Sequence, residues 1–110
     1  MKKGKQVMDI YKCMEFDSFL KFKNMRSGIE FPVSIKVLNY NGNQVVNLNS
    51  NILIEKNVKK SDHILTFMED MVRTYVGGYV QMWVSYLSNV KFDGECLHFT
   101  TSNGIDIEVR

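Results

Sequence analysis

Short stretches of alternating apolar and polar residues run through this chain, separated by Asn-Gly and Asp-Gly pairs. Val33-Ser-Ile-Lys-Val37 is followed by Asn41-Gly42 and then by Gln44-Val-Val-Asn-Leu48. Period-two alternation puts one set of side chains on a single sheet face, and Asn-Gly accommodates the positive φ angles of a type I′ hairpin turn. A two-residue Asn41-Gly42 loop sets Val37 opposite Val46 and Ile35 opposite Leu48, apolar pairs on one face that Ile52 and Ile54 extend. A two-residue Asp93-Gly94 loop likewise sets Val90 opposite Leu97. At Asn103-Gly104 the same loop would put Phe99 opposite Glu108, an apolar side chain against a charge. A three-residue loop, Ser102-Asn103-Gly104, instead pairs Phe99 with Ile107, Leu97 with Val109, His98 with Glu108 and Thr100 with Asp106. The spacing therefore predicts a bulged turn with Gly104 in the left-handed region.

One segment reads at helical period. Ile64, Leu65, Phe67, Met68, Met71, Val72 and Tyr75 cover one face, with Glu69, Asp70 and Arg73 on the other. Ser61 suits the N-cap, Asp62 the positive end of the dipole, and Gly77-Gly78 the stop. Met68 and Met71 are expected in the core. Residues 17–25 alternate and read as a strand. Residues 79–92 are β-branched and aromatic and read as one strand, although Val80, Trp83, Val84 and Leu87 also fit a helix. As one strand, 79–92 sets Val80, Met82, Val84, Tyr86 and Val90 under the helix. Tyr79, Gln81, Trp83, Ser85 and Leu87 then point away from it. The expected fold is α+β, an antiparallel sheet in the order β-β-β-α-β-β-β with one amphipathic helix packed on it.

The length of 110 residues corresponds to one domain, 1–110, with 1–12 read as a loose N-terminal extension and Met8 as an alternative start. A hydrophobic fraction of 45% and a charged fraction of 24% exclude disorder. No uninterrupted apolar run reaches the roughly 18 residues of a membrane span. The Met-Lys-Lys-Gly-Lys start lacks a following apolar stretch, because Gln6, Asp9, Lys12 and Glu15 interrupt it, so a cytoplasmic chain is expected. Cys13 and Cys96 belong to no C-x-x-C pair, and both are expected to be reduced. The chain contains no alanine and much lysine, asparagine and isoleucine, the residues of AT-rich codons, which points to a low-GC bacterium or its phage.

Candidate chemistry is sparse. His98 has Cys96 two residues before it and Glu108 across the ladder, a set able to form a three-ligand metal site or a Cys–His pair. An ordinary strand surface is the expected reading, so no catalytic residue, metal or cofactor is assigned. His63 is expected in solvent on the first helical turn. Asp106 and Glu108 read as solvated edge-strand charges. There is no P-loop, and Gly77-Gly78 follows a helix where a dinucleotide site would open one. The net charge of +2 is small, but its positive excess sits at the front. Lys21 and Lys23 beside Phe19, with Lys56, Lys59 and Lys60 further on, form the candidate nucleic-acid residues, with a solvated surface as the competing reading.

An Ile29-Glu-Phe-Pro32 segment leads into a strand, followed by a second strand and the Phe67-Met-Glu-Asp-Met71 helix. A Gly-Gly break, an aromatic strand with Trp83 and Ser85, and a closing Asn-Gly-Ile-Asp-Ile-Glu-Val complete the chain. That order resembles the small cytosolic immunity proteins of bacterial polymorphic toxin systems, of the wall-associated toxin immunity type. Their closing hairpin often reads Gly-His-Ile, where this chain has Gly104-Ile105-Asp106. The resemblance implies a non-enzymatic inhibitor that binds a partner protein. A phage inhibitor of host defence, including an anti-CRISPR protein, fits the same size and composition. The expected function is therefore stoichiometric inhibition of a toxin or host-defence enzyme, with a nucleic-acid-binding accessory role as the alternative. The partner-binding residues are expected to be Tyr79, Trp83 and Leu87, an exposed aromatic face that would also suit a homodimer. The competing reading is that residues 1–16 fold over this face through Val7, Ile10, Tyr11 and Met14, or that the sheet curls into a sandwich.

Overall fold

The computed structural model describes residues 2–38, 43–78 and 80–110. Among the described residues it is an α+β fold in which a seven-stranded antiparallel sheet carries one main helix and one short one. The chain opens with α1 (Lys2–Phe22), followed by β1 (Phe31–Leu38), β2 (Gln44–Asn57) and β3 (Asp62–Phe67). The short α2 (Asp70–Tyr75) precedes β4 (Gln81–Trp83), a 3-10 turn at Val84–Tyr86, and then β5 (Ser88–Phe92), β6 (Leu97–Thr100) and β7 (Asp106–Val109). The sheet order is β4-β3-β2-β1-β7-β6-β5, so β4 and β5, close in sequence, form opposite edges. The radius of gyration is 13.2 Å, as expected for one domain of this length.

The sheet-packed helix is α1 and not the segment at 64–75. Residues 17–25, read as a strand, contain its last turns, and residues 2–12, read as a loose extension, its first half. From Lys5 to Phe22 there is no glycine or proline, and Cys13, Phe16, Phe19 and Leu20 recur at helical spacing. All four are buried. Phe16 packs on Phe99, and Phe19 on Phe31 and Phe92, with ring centroids 5.8, 6.2 and 5.9 Å apart. The helix ends where Asn24 takes a φ of 57° and the Met25 N–H returns to the Leu20 carbonyl, a left-handed C-terminal cap. Under α1 lie Val33, Ile35, Val37, Ile52, Ile54, Leu65, Phe67, Leu97, Phe99, Ile107 and Val109, all buried.

Residues 62–67 form a strand because His63, Leu65 and Phe67 alternate inward, and β3 pairs along β2 with Leu65 against Ile54 and Phe67 against Ile52. A helix there would have left the edge of β2 unpaired. Ser61, expected as an N-cap, instead turns the chain at a φ of 51°. Only Asp70–Tyr75 remains helical, and Gly77 and Gly78, both at positive φ, close it as expected. Met71 is 64% exposed and Met68 half-buried, so Val72 and Val76, not the methionines, anchor this helix.

The expected register holds at two of the three hairpins. Val37–Val46 and Ile35–Leu48 pair as expected, although Asn41-Gly42 itself lies outside the described residues. All four expected β6–β7 pairs form, and Gly104 has a φ of 85°. At Asp93 the loop is longer than expected: Phe92, not Val90, faces Leu97. The Asp93 carboxylate takes the Glu95 and Cys96 N–H groups, and its own N–H bonds to the Cys96 carbonyl. The pairing slips by two residues, an even number, so Val90 keeps its inward face.

Candidate functional site

The first cluster is built on Asp62 at the start of β3. Its Oδ1 accepts the N–H groups of His63 and Ser85 at 2.8 and 3.1 Å and the Cys13 thiol at 3.7 Å. Its Oδ2 accepts the Ser85 hydroxyl at 2.6 Å. Lys12 adds a hydrogen bond from Nζ to the Ser85 carbonyl at 2.9 Å. One buried carboxylate thus joins α1, β3 and the 3-10 turn. Burial, reinforced by the Asp62 carboxylate, pushes the Cys13 thiol up to about 12. His63, expected in solvent, is buried, with Nε2 2.9 Å from Asp17 Oδ1. Lys56 lies 3.6 Å from the same oxygen. The Ser85 hydroxyl and the His63 ring therefore engage different carboxylates, Asp62 and Asp17, which makes the cluster a brace for the 3-10 turn.

That brace sets the surface around Trp83. Residues 79–92 do not form one strand, because the 3-10 turn breaks the alternation after Trp83. Met82, Val84 and Val90 point inward as expected, but Val80 is exposed, and Tyr86 and Leu87 exchange places. Leu87, expected on the partner face, is 1% exposed and part of the core, whereas Tyr86, expected under a helix, is 68% exposed. Trp83 is half-buried and pairs with Ile64 on β3. It lines a hollow of 230 Å³ with Lys60, Ser61, Asp62, Ser85 and Tyr86. Tyr79 lies outside the described residues. The N-terminal residues do not cover this face through Ile10, Tyr11 and Met14, because those three are exposed on α1. The side chain of Val7 is not among those described.

The candidate nucleic-acid lysines divide among four places. Lys21 and Lys56 line a groove of 560 Å³ with Asp17, Asn24 and Arg26. Lys60 borders the Trp83 hollow, Lys59 is exposed on the turn after β2, and Lys23 lies beside Pro32 and Arg110. Lys21 and Lys23 sit at and beyond the end of α1, not on a strand face with Phe19, which is buried.

The Cys96, His98 and Glu108 set is brought together at the β5–β6 hairpin, with a member that spacing alone did not supply. His98 Nδ1 lies 3.7 Å from Glu108 Oε2, and its Nε2 lies 3.0 Å from Asp93 Oδ2. The sequence pattern marks Asp93 only as a turn former; the signal that points to it is an acid at the neck of a hairpin whose next strand carries Cys-x-His. Hydrogen bonds from the Cys96 N–H, the His98 ring and the Glu95 N–H hold the Asp93 carboxyl well below the usual carboxylate range. Burial raises the Cys96 thiol against the opposing Arg110 hydrogen bond, and that same bond raises Arg110.

No helix among the described residues is long and apolar enough to cross a membrane. Comparisons with protein-family models, curated proteins and solved structures return no match.

Proposed function

We propose that this chain is a non-catalytic binding protein that inhibits another protein stoichiometrically, in the manner of a toxin-immunity or anti-defence factor. The observation that carries the reading is the set of large apolar side chains held exposed on braced elements. Tyr86 projects from the 3-10 turn beside Trp83, and Ile10, Tyr11 and Met14 form an exposed stripe on α1, which packs against that turn. Exposed aromatics on a rigid support are favoured interface anchors, because little side-chain entropy is lost when they are covered. Inhibition would follow from occlusion of the partner's working surface. The test is capture of the partner from host extract by the wild-type chain and by Tyr86→Ala and Trp83→Ala. Each variant is expected to weaken association by at least ~2 kcal/mol while retaining the native circular dichroism spectrum. Undiminished capture by both folded variants, or no 1:1 complex with any captured protein, would sink the reading.

A second reading, a nucleic-acid-binding accessory role, draws on the convergence of Lys21, Arg26 and Lys56 around one groove. It requires retention on DNA or heparin that falls steeply with salt and is reduced by Lys56→Ala, because phosphate contacts release counterions.

A further inference from the structure

Asp93, Cys96 and His98 offer ligand atoms that all lie within 4.8 Å of one another. They come from six consecutive residues whose conformation is set by the hairpin. Asp93 Oδ1 is committed to the fold, accepting the Glu95 and Cys96 N–H groups at 2.9 and 2.8 Å. That leaves Oδ2 to face His98 Nε2, with which it shares a hydrogen bond of 3.0 Å. Gly94, at a φ of 102°, lets the turn close. Cys96 and His98, two apart, project on the same side of the chain entering β6.

We propose that this hairpin neck binds a divalent transition-metal ion of the zinc class, with Asp93 Oδ2, Cys96 Sγ and His98 Nε2 as ligands. A mixed oxygen, sulfur and imidazole set suits zinc, which takes such ligands tetrahedrally at about 2.0–2.3 Å, so that ligand atoms stand roughly 3.3–3.6 Å apart. The Asp93–His98 pair would open by a few tenths of an ångström and Sγ would close in by up to roughly 1.2–1.5 Å. Glu108 supplies the outer support. With Nε2 on the metal the imidazole carries its proton on Nδ1, which faces Glu108 Oε2 at 3.7 Å. A carboxylate behind a ligating histidine fixes its tautomer and ring orientation. Lys36, 3.9 Å from Glu108, and Arg110, whose Nε donates to Cys96 Sγ at 3.3 Å and whose other end meets Glu95, complete the charged surroundings. Binding forms the metal–sulfur bond and releases the Cys96 thiol proton to solvent. Three protein ligands leave a fourth position for water or for a donor from a bound partner.

The experiment is titration of the reduced full chain with Zn²⁺, and separately with Co²⁺ as a spectroscopic probe. One equivalent is expected to bind, with Co²⁺ giving tetrahedral ligand-field bands and a thiolate-to-cobalt charge-transfer band. Cys96→Ser should abolish that band, and Cys13→Ser should keep it. Asp93→Asn retains an Oδ1 acceptor for the turn, so it tests the ligand without removing the hairpin. It and His98→Gln should each weaken Zn²⁺ binding tenfold or more, and Glu108→Gln by on the order of 10- to 100-fold. Absence of saturable binding overturns the proposal, as does a charge-transfer band that survives in Cys96→Ser. Unchanged affinity in both Asp93→Asn and His98→Gln overturns it as well, and these two variants decide the matter alone if Cys96→Ser does not fold.

Discussion

The Asp62 carboxylate engages donors from three separate parts of the chain, and the Cys13 thiol is the most telling of them. A buried thiol beside a carboxylate cannot ionise cheaply, because burial disfavours the thiolate and the neighbouring negative charge repels it. The Cys13 value of about 12 lies above the ordinary thiol value of 9.0. Its contribution to stability is therefore fully present below about pH 9 and is lost as pH rises from there towards 12. In the native protein Cys13 is expected to resist alkylation at pH 8–9, reacting only as fast as the chain opens, and Cys13→Ser should lose less stability than the wild type between pH 9 and 11. Mass-spectrometric peptide mapping after brief iodoacetamide treatment checks the first point. Labelling of native Cys13 at the rate of a free thiol would show that the Asp62 brace is not formed.

At the scale of elements, the β6–β7 hairpin is the place where local sequence decides structure. Its turn requires Gly104 at a φ of 85°, with open space where a Cβ would sit, so the penalty for a side chain is one of backbone conformation and not of collision. Gly104→Ala is expected to destabilise by about 1 kcal/mol, read as a shift of the urea midpoint with an unchanged slope. A neutral result would contradict the left-handed turn. This hairpin was legible because both strands and the turn lie within one short stretch, and a wrong loop length immediately set Phe99 against Glu108. Residues 62–67 were not legible in the same way. Ile64, Leu65, Phe67 and Met68 fit a helical face as well as a strand, and what decides between them is the free edge of β2, a partner distant in sequence. The outward placement of Leu87 was missed for a similar reason: one turn of 3-10 helix at Val84–Tyr86 shifts the parity, burying Leu87 and exposing Tyr86. The His98–Glu108 contact followed from register alone. Asp93 joined it only because its side chain closes the hairpin by a route that residue spacing does not reveal.

For the whole molecule, the decisive step is the docking of α1 across the sheet. Seven strands present one apolar face, and α1 contributes Phe16, Phe19 and Leu20 to cover it, while Glu15 accepts the Phe92 N–H at 2.8 Å on the β5 edge. The two sides of this helix should respond differently to truncation. Phe16 is fully buried against Phe99, so Phe16→Ala removes a ring and leaves a cavity between two elements that the backbone cannot easily close. The expected cost is about 3–5 kcal/mol, a large fraction of the stability of a domain this size. Met14, only two residues away, is 58% exposed, and Met14→Ala should change stability by no more than about 0.5 kcal/mol. If the exposed stripe is the partner surface, Met14→Ala should nevertheless weaken the complex. Urea denaturation of the two variants, with binding measured on the same samples, separates the roles. A Phe16→Ala protein as stable as the wild type would mean that α1 does not roof the sheet, and the exposed stripe on its other side would lose its rigid support.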